Sequence, residues 1–226
     1  MVAPDTGHLL GLDHAAAIAL TRGILVVEGE HDRRVIKAFF GTDVTSARVR
    51  ILPIRGTENA LSLAEAELYS LLGVRLCVLF DEARDASLTV DPPPKLTPEE
   101  RKIKQLLDHA QGAGFPITHA PFYLPDMVAA LPEAAVRRAF PDSPFTGWQP
   151  IVDAWRAKAE NRPGFKAYAL KRLHLRQLDP DSFVDRVLAS VAPGDETARE
   201  LTLAVKTSLA QLGGTTVDEK DHSGTT

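Results

Sequence analysis

The sequence predicts an α/β fold, in which a parallel sheet of about four strands is flanked by helices and followed by an all-helical C-terminal extension. Two observations support this prediction. Over residues 23–131, short aliphatic runs alternate with amphipathic helical patterns, which is typical of doubly wound parallel sheets. After Pro132, apolar residues recur only at helical spacing.

The predicted strands are short apolar segments that end at glycine, proline or charged residues. The first contains four consecutive aliphatic residues, Ile24 to Val27, which suits a strand covered on both faces of a parallel sheet. The third contains the single cysteine, Cys77, which we expect in the core. The four predicted strands span residues 24–27, 48–54, 75–80 and 117–124.

The predicted helices begin at capping residues and end at helix breakers. Apolar residues recur at helical spacing after Asp32, and Gly41 is the predicted C-terminal stop of that helix. Thr97 is a predicted N-cap, followed by proline and two acids, of a helix that runs to about Gly112. The other predicted helices span residues 56–73, 125–131, 151–160, 165–175, 181–190 and 195–212.

These elements predict four segments along the chain. Residues 1–22 form a helical lead-in, and residues 23–131 form the α/β domain. Residues 132–212 form the helical extension, and residues 213–226, which are polar, form a disordered tail.

Composition limits the class of protein. The chain has 226 residues, of which 44% are hydrophobic and 25% are charged, as in ordinary globular domains. A net charge of −4 indicates no overall basic surface, although a local basic patch would suffice for binding nucleic acid. A single cysteine excludes a disulfide framework, and neither a membrane span nor a signal segment is visible. We therefore expect a cytoplasmic protein that does not contact a membrane.

Carboxylates follow two of the predicted strands directly. Glu28 comes after the first strand, with Gly29 beside it, and Asp81 comes after the third. Because the carboxyl ends of parallel strands meet at one edge of a sheet, we expect Glu28 and Asp81 to lie close together. Such a cluster is costly unless a positive charge lies between its members, and a divalent metal ion is the usual solution.

With these residues the sequence resembles the Toprim domain, a Rossmann-like fold shared by topoisomerases, bacterial primases, RNA-maturation nucleases and OLD-type (overcoming lysogenization defect) nucleases. The similarity is greatest to the OLD-type group, in which a second acidic residue follows the first Glu by four positions, as Asp32 does. It covers roughly residues 23–131 and the segment around Lys166. The resemblance implies catalytic roles for Glu28, Asp81 and Lys166. The metal ligands that it implies, for Mg²⁺ or Mn²⁺, are Glu28, Asp32, Asp81, Asp85 and Asp126.

The sequence departs from the family pattern at two positions. The second motif of the family is Asp-x-Asp, but Ala83 stands where the second Asp is expected. Asp85 and Glu82 are nearby carboxylates, and Asp85 is the candidate substitute. Val128 stands where the later Asp-x-Glu segment, which begins at Asp126, has its second acid.

Each of these residues also has an ordinary structural explanation. Asp32 suits the first turn of a helix, where the helix dipole stabilises a negative charge, and Asp126 suits a helix cap. Lys166 also suits the exposed face of an amphipathic helix, and His31 suits an exposed turn. The segment 55–57, Arg-Gly-Thr, fits either a phosphate-binding turn or a simple loop.

Three functions remain open on the sequence alone. The first is a Mg²⁺- or Mn²⁺-dependent DNA endonuclease that works with a separate ATPase partner, as OLD-type enzymes imply, and that forms a homodimer. The second is a catalytically degraded Toprim interaction module of a bacterial DNA-repair or phage-defence complex, which Ala83 and Val128 favour. The third is an RNA-maturation nuclease or a primase-like nucleotidyl transferase. The chain contains no Gly-x-x-x-x-Gly-Lys-Ser/Thr loop, so this sequence by itself does not encode a nucleotide-driven motor.

Overall fold

A four-stranded parallel sheet forms the centre of the chain. The computed structural model describes residues 21–54, 74–83, 96–114, 117–158 and 162–213. The strands are β1 (Gly23–Val27), β2 (Val49–Pro53), β3 (Arg75–Leu79) and β4 (Ile117–His119). They lie in the order β2-β1-β3-β4, and every pairing is parallel. The predicted α/β class is confirmed.

Helices flank this sheet and make up the C-terminal part of the described chain. They are α1 (Glu30–Ser46), α2 (Pro98–Ala113), a 3-10 turn at Met127–Ala130, α3 (Glu133–Ala139), α4 (Trp148–Arg156), α5 (Phe165–Arg172), α6 (Pro180–Ala189) and α7 (Arg199–Gln211). The predicted helix at 56–73, the lead-in up to residue 20 and the tail from residue 214 lie outside the described residues. The proposed domain boundaries remain predictions.

Both faces of the sheet are covered, which explains the uninterrupted aliphatic run of β1. Successive side chains of a strand point to opposite faces. Leu25 and Val27 join one buried cluster with α1 and the C-terminal helices, whereas Ile24 and Val26 join a second cluster with α2. The C-terminal helices therefore share a hydrophobic core with the sheet.

Helix α1 is longer than predicted. Gly41 does not end it, because the helix continues to Ser46 past a local distortion at Phe40 (φ −126°, ψ 15°). Phe40 and Val44 are both buried, so the apolar face of the helix extends beyond the glycine. Burial of this second apolar segment outweighs the low helix propensity of one glycine.

Strand β4 is shorter than the predicted segment 117–124. It ends at His119, because Pro121 has no N–H to extend the ladder. The chain then turns, and Phe122 forms an antiparallel bridge with Ala83 through two backbone hydrogen bonds of 2.9 and 2.8 Å. This bridge holds the segment after β3 against the segment after β4.

Helix α7 attaches the end of the described chain to the sheet. The Gln211 amide donates to the His119 carbonyl at 3.1 Å and accepts a contact of 3.2 Å from the Cys77 thiol. Cys77 is a buried, free thiol, as predicted. The Thr97 cap of α2 is also confirmed, since its hydroxyl accepts from the Glu100 N–H at 3.1 Å.

Candidate functional site

The ends of β1 and β3 bring Glu28 and Asp81 together, as predicted. The two strands are neighbours in register, with Val27 opposite Leu79. Directly beyond this pair, the backbone N–H of Asp81 donates to Oε1 of Glu28 at 3.3 Å. Both side chains are half-buried.

Asp32 is buried in the first turn of α1, with only 2% of its surface exposed. Its Oδ2 accepts a hydrogen bond of 2.7 Å from the N–H of Gly29, the residue that caps the helix. Its Oδ1 lies 2.8 Å from Nε2 of the half-buried His31 but accepts no hydrogen bond from the residues that the structure describes. One oxygen of Asp32 thus fixes the turn after β1, and the other lies against the His31 ring.

At Gly29 the His31 ring approaches the backbone closely, whereas the backbone conformation itself is ordinary. Its φ of −140° and ψ of 171° are open to any residue. A Cβ at this position would lie 2.8 Å from Cε1 of the His31 ring. The glycine therefore lets His31 lie against Asp32.

Asp126 and Lys166 complete the site from the C-terminal half of the chain. Asp126 caps the 3-10 turn, since its Oδ1 accepts from the Val128 N–H at 2.9 Å. Its Oδ2 lies 3.2 Å from the Lys166 ammonium, in the first turn of α5. Asp126 is therefore both the cap and a member of the charged cluster, and Lys166 is ion-paired at the site.

The pKa values show that the carboxylates interact with one another. Burial raises the pKa of Glu28 to about 7, and the negative charge of Asp32 contributes to this rise. Burial raises the pKa of Asp81 as well, and the charges of Asp126 and Glu28 add to this effect. Four acidic side chains thus share one electrostatic environment.

Lys166 supplies positive charge to this environment. Burial also raises the pKa of Asp126, but the charge of Lys166 opposes the rise. For Lys166 itself, burial acts to lower the pKa, and the nearby carboxylates, Asp126 first, more than offset it, so that the pKa is raised. Lys166 is therefore held as a cation among acids that are too crowded to ionise readily.

The site suits a hard divalent cation in its chemistry. All four acids offer oxygen atoms, which Mg²⁺ and Mn²⁺ prefer, and Oδ1 of Asp32 is buried without a hydrogen-bond donor in the described part of the chain. Within that part, no group of three or more His, Cys, Asp or Glu side chains is already arranged around a common metal position. Metal binding would therefore require these side chains to move toward one another.

The two positions where the sequence departs from the family pattern face the apolar core. Ala83 has no exposed surface and packs with the cluster beneath α2, while its backbone is paired with Phe122. Val128 is also buried, in the cluster on the other face. An acid at either position would be buried among hydrocarbon, which is strongly unfavourable. Asp85, the proposed substitute, lies outside the described residues.

Two further side chains lie at the site. His31, expected in an exposed turn, contacts Asp32. Arg162 lies 4.3 Å from the centre of the Trp155 ring and 3.6 Å from Oε1 of Glu82, the residue after Asp81. The spacing of Trp155 and Arg162 along the sequence gives no signal for this stack.

Comparison with known proteins finds structures of similar fold but no match in sequence. No protein-family model matches the sequence, and no curated protein matches it. The structure is similar to the C-terminal region of the OLD protein of Burkholderia pseudomallei, with a TM-score of 0.48 and 18% identity, over 85% of this chain and 96% of that one. It is also similar to the C-terminal region of the Xanthomonas campestris pv. campestris OLD protein, with a TM-score of 0.44 and 16% identity, over 87% and 96% of the two chains.

No helix among the described residues combines the length and apolar character needed to cross a membrane.

Proposed function

We propose that this protein is a Toprim nuclease of the OLD type, which hydrolyses phosphodiester bonds of DNA with Mg²⁺ or Mn²⁺. One observation carries the proposal. Glu28, Asp81 and Asp126, whose pKa values are raised, come from three separate segments and interact electrostatically with the Lys166 ammonium, as does Asp32 four residues after Glu28. Such convergence of perturbed carboxylates is typical of sites that bind metal and phosphate.

Each residue has a distinct role in this proposal. Glu28, Asp81, Asp32 and Asp126 are the oxygen ligands, with Asp85 as a further candidate. When bound, divalent ions in such a site activate water and stabilise the departing oxygen. Lys166 places its ammonium beside the phosphate and offsets the negative charge that develops there, as fixed cations do in phosphoryl transfer.

Three further features belong to the same proposal and rest on the sequence resemblance. DNA is the preferred substrate over RNA. A separate ATPase subunit is the partner, because OLD-type Toprim domains are commonly joined to one. The active form is a homodimer within a phage-defence or DNA-repair complex in the cytoplasm.

A plasmid-cleavage assay with Mg²⁺ or Mn²⁺ tests the proposal. We expect wild-type protein to nick or linearise the plasmid, and the isosteric variants Glu28→Gln and Asp81→Asn to lose cutting. Glu200→Gln, which removes an exposed carboxylate on α7, is the matched control and should cut normally. Equal cutting by all variants would point to a contaminating nuclease and would refute the assignment of the site.

A second candidate is an interaction module that has lost catalysis. The buried, apolar positions of Ala83 and Val128 favour it, because two acids of the family pattern have no counterpart there. In that case, wild-type protein neither cuts DNA nor binds Mn²⁺ in calorimetry, yet associates with an ATPase subunit. If wild-type protein binds Mn²⁺ but does not cut DNA, cutting should be measured again with the ATPase subunit present. Cutting under that condition would support the nuclease.

A further inference from the structure

A basic groove runs between α1 and the edge strand β2. It is open, has a volume of about 670 Å³ and is lined on the helix side by Arg33 and Lys37. On the strand side, Arg48 and Arg50 line it. No Asp or Glu is among the described residues that line the groove, although the chain as a whole carries a net charge of −4.

The cations of this groove are placed by the local periodicity of their elements. Arg33 and Lys37 are four residues apart on α1 and therefore share one helix face, about 6 Å apart along the axis. Arg50 lies in β2, and Arg48 directly precedes the strand in a left-handed backbone conformation (φ 54°); both line the groove. Two short rows of positive charge therefore face the same groove.

Three of these cations have no carboxylate partner in the part of the chain that the structure describes. Lys37, Arg48 and Arg50 are exposed and form no ion pair there. Some arginines elsewhere are neutralised: Arg34 pairs with Asp181 and Asp185, and Arg138 pairs with Asp195. The groove thus retains a positive charge that those surfaces lack.

The groove runs along α1 from Arg33, near the carboxylate site, to Arg48 at the amino edge of the sheet. Arg33 directly follows Asp32 in the first turns of α1. Along α1 from Arg33 to Thr45 the helix advances about 18 Å, the length of about five base pairs of duplex DNA. The groove therefore offers a path for a phosphate backbone from the region of Asp32 toward the amino edge of the sheet.

We propose that this groove binds the sugar–phosphate backbone of the nucleic acid on which the carboxylate site acts. The identity of the occupant rests on the proposed function, whereas the surface rests on the placement of Lys37, Arg48 and Arg50. Backbone contacts by lysine and arginine release counterions, so that the affinity carries a characteristic dependence on salt. The groove adds affinity and direction but no sequence specificity.

Fluorescence anisotropy with a labelled DNA duplex, in EDTA and over a series of salt concentrations, tests this proposal. The variant Lys37→Gln/Arg48→Gln/Arg50→Gln should bind more weakly than wild type. Its plot of log affinity against log salt should be shallower by about 0.9 for each phosphate that is no longer neutralised, or about 3 in all. The matched control, Arg199→Gln/Lys206→Gln on α7, removes two exposed charges away from the groove and should keep the wild-type slope apart from a small general effect.

Two outcomes would contradict the proposal that this groove binds nucleic acid. One is a triple variant whose affinity and slope equal those of the control, and the other is a wild type that binds no DNA. Arg50→Gln alone, which should lower the slope by about 1, keeps the test valid if the triple variant unfolds. Glu28→Gln should abolish cutting and leave the salt dependence of DNA affinity unchanged. Failure of the proposed chemistry is therefore distinguishable from failure of DNA binding in the groove.

Discussion

The backbone N–H of Asp81 donates a hydrogen bond of 3.3 Å to the Glu28 carboxylate, joining the ends of two neighbouring strands. This contact fixes the two acids of the proposed site side by side. It also lowers the pKa of Glu28, against the larger effects of burial and of the Asp32 charge, which raise it. The geometry thus holds a carboxylate in a place where its negative charge is unfavourable until a cation arrives.

The first prediction concerns stability and pH in the absence of metal. The pKa of Glu28 is raised from 4.5 to about 7 in the folded chain. Between these values the folded state retains a proton that the unfolded chain releases, so stability falls as pH rises through this window. Asp81 and Asp126 act in the same direction. In EDTA, thermal melting should occur at a lower temperature at pH 7.5 than at pH 5.

Glu28→Gln is the control for this prediction, because glutamine does not titrate. The variant should gain stability relative to wild type as pH rises from about 5 to 7.5, by on the order of 3 kcal/mol at most. A difference in Tm between the two proteins that stays constant across this range would contradict the raised pKa of Glu28.

The second prediction concerns Lys166. Lys166→Met removes the ammonium that lies 3.2 Å from Asp126 while keeping most of the side-chain volume. We expect single-turnover cleavage to slow by about 100-fold or more, as expected when a fixed charge at the reacting group is removed. Lys171→Met, on the exposed face of the same helix, should cleave at the wild-type rate. Similar cleavage rates for the two variants would show that Lys166 has no role in cleavage.

The third prediction separates the two roles of Asp126. Asp126→Asn keeps an oxygen that can accept from the Val128 N–H, so the cap survives and stability should change little. Asp126→Ala removes the cap as well and should cost about 1 kcal/mol or more of unfolding free energy. Both variants should lose cleavage. If Asp126→Asn cuts normally, Asp126 only caps the 3-10 turn and its charge has no role in cleavage.

The fourth prediction concerns Gly29. A methyl group at this position would lie 2.8 Å from the His31 ring, so Gly29→Ala should displace His31 from Asp32 and reduce cleavage. Gly41→Ala in the same helix is the matched control, because nothing lies within 4 Å of its new Cβ. The control should be stabilised by about 0.5–1 kcal/mol in chemical denaturation and cleave normally. Unchanged cleavage by Gly29→Ala would show that the close approach of His31 has no part in activity.

The sequence predicts where β1 and β3 end, because local chemistry sets these two ends. A buried aliphatic run followed by Glu28 or Asp81 has one plausible place at the edge of a parallel sheet. The end of β4 was predicted wrongly, although Pro121 carries the signal for it, because the apolar residues around it resemble a continuing strand. The end of α1 was predicted wrongly because tertiary burial of Val44 overrides a local helix breaker.

Other features of the site depend on long-range contacts and have no local signal. The bridge that buries Ala83 joins segments 39 residues apart. The stack of Arg162 on Trp155 matches no local sequence pattern, and the basic groove needs α1 packed beside β2. Sequence patterns identify the acids of the site, whereas the surfaces around it follow only from the assembled fold.

Isothermal titration of metal-free protein with Mn²⁺ at pH 7.5 tests the central claim most directly, because it measures cation capture without requiring cleavage. We expect saturable binding by wild type, loss of binding in Glu28→Gln and Asp81→Asn, and normal binding in Glu200→Gln. Saturable binding should be accompanied by release of protons, since acids with raised pKa values must ionise to become ligands. No binding by wild type, or equal binding by Glu28→Gln, would contradict the account.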